Sequence, residues 1–291
     1  MISLEKVAKT FRRTPVLNGI DLEIGRGDRL ALVGSNGAGK TTLIRCLLGE
    51  YVYQGKITFD GQEPRGHRRE VLKKIGFVPQ LPPPLRMPVG QLIRFAASVC
   101  DSDPGRIYGI AGQLGLDAES FRHQSFVKLS GGQKQKLLIS IALGRDCELL
   151  VLDEPAANLD PEARHAFFQL LAERQHKVAM IISSHRLDEV AALVNRVVEL
   201  DRGEVVLDDH VADQIDMASV LTTRVTLTRA DAAFAETVRE WGFQPDDAER
   251  VWSGQVAGPD RLRFLGVLSR YAGLLQGVEM HDSREAPGEL H

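Results

Sequence analysis

The sequence predicts an α/β fold, with a mostly parallel sheet set between helices and a smaller α+β unit at the C-terminal end. Three observations carry this expectation. Short apolar runs, LALV at 30–33, LLVL at 149–152 and VAMII at 178–182, read as strands, and LLVL as one buried on both faces. Glycine-rich or acidic signals follow the first two runs directly, which is where an open parallel sheet collects ligands. From about residue 221 the pattern changes to strand, helix, strand, helix, strand on a smaller scale.

Taken in order, residues 1–33 alternate as short strands with a turn from Glu23 to Arg29. The string GSNGAGKTT at 34–42 then fits glycine, four residues, glycine, lysine and threonine, between a strand and a helix. Gly34, Gly37 and Gly39 let the backbone turn its N–H groups inward, and Ser35, Asn36 and Ala38 complete the loop. This is a cradle for phosphate oxygens. Lys40 places a cation against the β- and γ-phosphates of ATP, the Thr41 hydroxyl suits Mg²⁺, and Thr42 continues the helix start. The strand from Leu149 delivers Asp153 and Glu154 to its C-terminal end. Asp153 can reach Mg²⁺ through water, while Glu154 can polarise the water that attacks the γ-phosphate. Two adjacent acids thereby divide metal and base duties. The fold class is therefore that of a P-loop NTPase.

Ser130, Gly131, Gly132 and Gln133, in LSGGQ at 129–133, open an amphipathic helix running to about Arg145, so their hydroxyl and N–H groups sit at its positive end. With these three strings in this order, the chain resembles the ATP-binding subunit of an ABC transporter. That resemblance implies a RecA-like core, an antiparallel β-subdomain to which residues 1–33 are assigned, and a helical subdomain at about 88–147. It also implies an ATP-dependent homodimer in which Ser130 to Gln133 close, head to tail, on the γ-phosphate held by the second copy. Single positions follow the family's motifs: Gln80 in IGFVPQ links nucleotide, Mg²⁺ and membrane partner, and Asp160 in AANLDP lies in the loop crossing the dimer interface. His185 in IISSHRLDEV matches the histidine that contacts the γ-phosphate, and Phe11 the ring that stacks on adenine. Asp160 also reads as a plain N-cap before Pro161. The run LPPPLRMP at 81–88 is stiff and extended, either a linker or, as the resemblance implies, a surface facing the membrane subunit.

These signals span residues 1–212, ending in a hairpin at 196–208. A connector at 211–218 leads to an accessory domain at 219–291, whose strand and helix order suggests a ferredoxin-like α+β fold with a disordered polar tail. Similar extensions occur in ABC exporters, in subunits serving metalloenzyme or cytochrome maturation, and in methionine importers. The resemblance leans towards export.

A formal net charge of −3 argues against general affinity for nucleic acid, the basic stretch at 65–74 reading as a solvated loop and helix start. Cys46, Cys100 and Cys147 are odd in number and widely spaced, which indicates neither a disulfide framework nor a zinc site and suits a reducing cytosol. No apolar run approaches the roughly 18 residues that span a bilayer. The expected setting is thus cytoplasmic, peripheral on the inner face of the membrane, with a separate permease as partner. The alternatives are the ATPase subunit of an importer and a soluble, non-transport ABC-type ATPase acting as a nucleotide-gated clamp. Against the clamp, the chain carries one cassette and no coiled-coil insertion.

Overall fold

The long parallel sheet forms because its strands are apolar on both faces. β1 (Ile2–Phe11), β2 (Thr14–Ile24) and β3 (Arg29–Val33) come first, and β3 is buried at every position. The same is true of β6 (Leu149–Asp153) and β7 (Ala179–Ser183). With β5 (Ile75–Val78), β8 (Arg196–Asp201) and β9 (Glu204–His210) they form a six-stranded sheet in the order β5-β6-β7-β3-β8-β9. All its pairings are parallel except the final β8–β9 hairpin. The computed structural model describes residues 1–175, 177–184, 187–191, 193–210, 220–257 and 261–282.

One expectation is corrected here. Residues 1–33 do not form one antiparallel layer: β3 enters the parallel sheet, and the antiparallel sheet β2-β1-β4 is completed by β4 (Gln54–Phe59). The physical reason lies in the pattern. β2 buries alternate residues towards its C-terminal end, whereas LALV is apolar throughout and demands cover on two sides.

α1 (Lys40–Leu47) follows the glycine loop, and α2 (Arg68–Lys73) carries the basic stretch. α3 (Val89–Val99), α4 (Pro104–Gln113) and α5 (Gly131–Leu143) pack through Ile93, Ile107, Phe126 and Leu137 into a separate apolar cluster, the expected helical subdomain. α6 (Pro161–Ala172) and the short α7 (Leu187–Val190) cover the sheet. Cys46, Cys100 and Cys147 are free thiols, and burial pushes the Cys46 thiol up to about 11.

Beyond the connector, which lies outside the described residues, come β10 (Val220–Leu227), α8 (Ala232–Arg239), β11 (Gln244–Pro245), β12 (Val251–Ala257), α9 (Arg261–Ser269) and β13 (Leu275–Asp282). Their antiparallel sheet has the order β11-β12-β10-β13, which is the ferredoxin-like βαββαβ arrangement the pattern suggested. Its core is aromatic: Trp252 and Phe234 are fully buried, and Phe243 stacks on Phe264 at 4.8 Å. Gly254 is needed there, because a Cβ would come within 2.5 Å of the Phe243 ring. This core is continuous with that of the parallel sheet, since Phe234, Trp252 and Phe264 belong to the same apolar cluster as Ile182 and Leu187. An ion pair between Arg261 and Asp209 also links the two sheets' elements.

Arg196 fastens the corner where both N-terminal sheets meet. It is only 6% exposed, and it donates to Asp28 at 2.8 Å, to the Glu23 carbonyl at 2.6 Å and to both carboxylate oxygens of Asp208 at 2.7 Å. These carboxylates hold its guanidinium charged. Arg196→Met leaves two carboxylates without their cation, so about 3 kcal/mol of stability is expected to be lost. A fall in the denaturant midpoint with an unchanged slope is the measurement that checks it.

Candidate active site

Strand register brings the chemistry to one level. Leu32 of β3 pairs with Ser183 of β7, and Ser183 pairs with Asp153 of β6, so the glycine loop leaves the sheet beside the two acids. The cleft at these strand ends has a volume of about 330 Å³. Along its walls the loop from Ser35 to Thr42, including Asn36, Gly37, Ala38, Gly39, Lys40 and Thr41, meets Gln80, Asp153 and Glu154.

The loop conformation depends on glycine at specific points. Gly34 has φ +142°, and a Cβ there would come within 2.2 Å of the Leu200 carbonyl oxygen. Gly39, the N-cap of α1 at φ +111°, packs under Leu17 and the Val16 carbonyl. Gly34 itself does not line the cleft, and its carbonyl accepts a 2.6 Å hydrogen bond from Lys40 Nζ. The Ser35 carbonyl accepts a second at 3.2 Å. Desolvation lowers the pKa of Lys40, and the charges of Glu154 and Asp153 oppose that shift. From below, Gly203 in the β8–β9 turn donates to the Ala38 carbonyl at 3.0 Å and approaches Val16 so closely that a Cβ would lie 2.3 Å from its oxygen. Sequence reasoning missed Gly203, which reads there only as a hairpin turn.

The acids are held from β7. Asp153 is 2% exposed and accepts a 2.6 Å hydrogen bond from the Ser183 hydroxyl. Glu154 has φ +48°, uncommon for a residue with a side chain, and its N–H donates to Ser183 Oγ at 3.0 Å. Ser183 is a second residue that sequence reasoning missed. The SSH string at 183–185 points to its histidine and carries no local sign of the serine's role. That residue, His185, lies outside the described residues.

The remaining candidates stand apart from the cleft walls. Ser130 caps α5 in a capping box: its Oγ accepts from the Gln133 N–H at 3.2 Å, and the Gln133 side chain accepts from the Ser130 N–H at 2.9 Å. Ser130 and Gly131 are exposed, and Gly132 sits under the Asn158 carbonyl. Asp160 caps α6 through the Ala163 N–H at 2.9 Å, as the N-cap reading expects, and pairs with Lys136 of α5 at 2.7 Å. The Lys136 ammonium keeps its carboxyl below the usual range. Phe11 is 39% exposed at the end of β1, edge-on to Tyr51 at 5.2 Å with Lys9 Nζ 4.6 Å above its ring. A cleft of about 410 Å³ at the other end of β6 is rich in arginine, but these arginines already bond within the chain. Arg106 pairs with Asp146, while Arg145 and Arg174 donate to helix-end carbonyls.

The donors facing the cleft suit Mg²⁺: a threonine hydroxyl, a glutamine amide and a carboxylate are oxygen donors of the kind that share a magnesium ion with phosphates. Among the described residues no group of three or more His, Cys, Asp or Glu could hold a metal by itself.

Comparison with known proteins agrees with this geometry. Residues 17–157 match the family model described as ABC transporter. The methionine import ATP-binding protein MetN of Bordetella avium is 32% identical over 289 residues, spanning 89% of this chain and 78% of that protein. The energy-coupling factor transporter ATP-binding protein EcfA2 of Clostridium tetani is 31% identical over 280 residues, covering 90% and 96% respectively. Among solved structures, one described as an ATP binding subunit of an ABC transporter superposes with a TM-score of 0.68 at 21% identity, over 92% of this chain and 99% of that one. Relatives aligned over most of their own length, on a chain whose phosphate loop and paired acids meet in one cleft, identify the family: this protein belongs to the ATP-binding subunits of ABC transporters, which are ATPases.

Proposed function

We propose that the chain works as one half of a pair, each ATP being clamped between two copies, and that the pair drives a separate membrane permease. One observation carries the pairing. The cleft gathers Lys40, Thr41, Gln80, Asp153 and Glu154, whereas Ser130 to Gln133 lie outside its walls on an exposed helix start. A solvent-facing helix N-terminus with a hydroxyl suits a γ-phosphate presented by a second molecule.

In the closed pair, loop N–H groups and Lys40 hold the β- and γ-phosphates. Thr41, Gln80 and, through water, Asp153 would hold a Mg²⁺, which when bound would neutralise charge on the phosphates. Glu154 takes a proton from the attacking water as its oxygen bonds to the γ-phosphorus. The bond from that phosphorus to the bridging oxygen breaks, ADP keeps the electron pair, and phosphate leaves. His185 would contact the γ-phosphate, Phe11 would stack on adenine, and Asp160 would cross to the second copy.

Residues 1–212 form the ATP-binding domain in this reading, and 219–291 an accessory domain that tunes pairing. Leu81 and Phe95, 77% and 57% exposed close in sequence to Gln80, supply an apolar surface for the permease on the inner face of the membrane. Among the described residues no helix is long and apolar enough to cross a membrane, which supports a permease on another chain. The direction we favour is import rather than the export suggested by the extension. The relatives whose alignments run past residue 212 are named for import or for energy-coupling factor transport.

Light scattering tests the pairing. The Glu154→Gln variant is expected to double in mass on addition of Mg-ATP and to return to monomer when nucleotide is removed. A strictly monomeric protein at saturating ATP, alone and with its permease, would overturn the composite site.

A further inference from the structure

The hydroxyl of Ser183 occupies a position that the phosphate loop, the acids and the signature helix do not explain. It is fully buried on β7, directly across from Asp153 in the parallel register. It donates at 2.6 Å to one oxygen of the Asp153 carboxylate and accepts at 3.0 Å from the Glu154 N–H. The Ser183 carbonyl lies 3.2 Å from the same N–H. A single side chain thus engages both acids, one through its carboxylate and the other through its backbone.

Each contact has a chemical consequence. The donated bond occupies Asp153 Oδ1, which fixes the carboxylate plane and leaves Oδ2 as the oxygen free to serve a metal shell. The accepted bond holds Glu154 in a left-handed conformation at φ +48°, where a residue with a Cβ stays only if its surroundings impose it. That twist, one residue after a buried strand, brings the Glu154 side chain to the same cleft as Asp153 instead of letting it alternate to the opposite face. An apolar residue in this strand position would pack as well and do neither.

We propose that Ser183 is a positioning residue for ATP hydrolysis, its hydroxyl setting the orientation of the metal-shell carboxylate and the backbone twist of the base together. The inference rests on the reading of Asp153 and Glu154 as the acids of the site.

The test uses the full chain and two nearly isosteric variants, Ser183→Thr and Ser183→Val, which crowd the site equally and differ in the hydroxyl. Three quantities are read: kcat and KM for ATP, the melting temperature, and Mn²⁺ affinity in the presence of ADP by electron paramagnetic resonance. The Val variant is expected to lose about 10- to 100-fold in kcat and in Mn²⁺ affinity relative to Thr, with KM for ATP within about threefold. Equal values for the two variants overturn the proposal, as does a Val variant that loses melting temperature while keeping its Mn²⁺ affinity. If the added methyl disables both, Ser183→Ala decides, and wild-type kcat and Mn²⁺ affinity in that variant overturn the proposal too. Glu154→Gln, run alongside, separates the two levels of the argument: normal turnover there removes the reading of the acids, whereas normal turnover confined to the Ser183 variants removes only the positioning role.

Discussion

Glu154→Gln is expected to slow ATP turnover by about 10²–10⁴-fold while ATP still binds. The substitution keeps the shape, exchanges one acceptor oxygen for an NH₂ donor, and removes the negative charge and with it the ability to accept a proton. Its backbone anchor comes from the Ser183 hydroxyl and carbonyl, neither of which depends on the carboxylate, so the φ +48° turn should survive. Binding should survive as well, because the proposed phosphate contacts come from the loop and Lys40. Single-turnover measurements with bound ATP isolate the chemical step, and near-normal turnover would remove Glu154 as base.

Lys40→Ala should act on the other half of the ledger, weakening ATP binding itself by about 100-fold or more. Lys40 is 7% exposed, and its ammonium is presented at the loop by the Gly34 and Ser35 carbonyls. Burial works against its charge, and Glu154 and Asp153 work for it. Removing the lysine therefore leaves two acids facing incoming phosphate oxygens without the ammonium that offsets them. Titration with a fluorescent ATP analogue checks this, and an affinity within threefold of wild type would show that the loop N–H groups suffice.

The two variants also mark what could be read from sequence. Lys40, Thr41, Asp153 and Glu154 were legible because phosphate and magnesium chemistry demands particular residue types at short, fixed spacing, and the structure brings all four to one cleft. Ser183 and Gly203 were not legible, because their partners are distant in sequence: Asp153 and Glu154 for one, Val16 and Ala38 for the other. A serine in a strand or a glycine in a hairpin turn carries no local sign of such a role. The assignment of β3 to the antiparallel layer failed for a related reason, since sheet membership is decided by which strands arrive from far along the chain. The ferredoxin-like extension was legible in element order. Its fusion with the larger core through Phe264 and Leu187 was not, because an apolar residue does not announce which neighbour it covers.

The strand order also dictates when the protein can first bind its nucleotide during synthesis. β3 lies between β7 and β8, with Leu30 paired to Ile181 on one side and Arg196 on the other. The loop that follows β3 is braced by Leu200 and Gly203, which leave the ribosome long after it. At about 5–20 residues per second, the glycine loop waits on the order of ten seconds for the strands that shape it. Through that interval the apolar β3 segment has only local partners, a situation that slows folding and exposes the nascent chain to mispairing. A chain released or cleaved before residue 203 would thus contain every residue of the glycine loop and still lack the support that gives the loop its form.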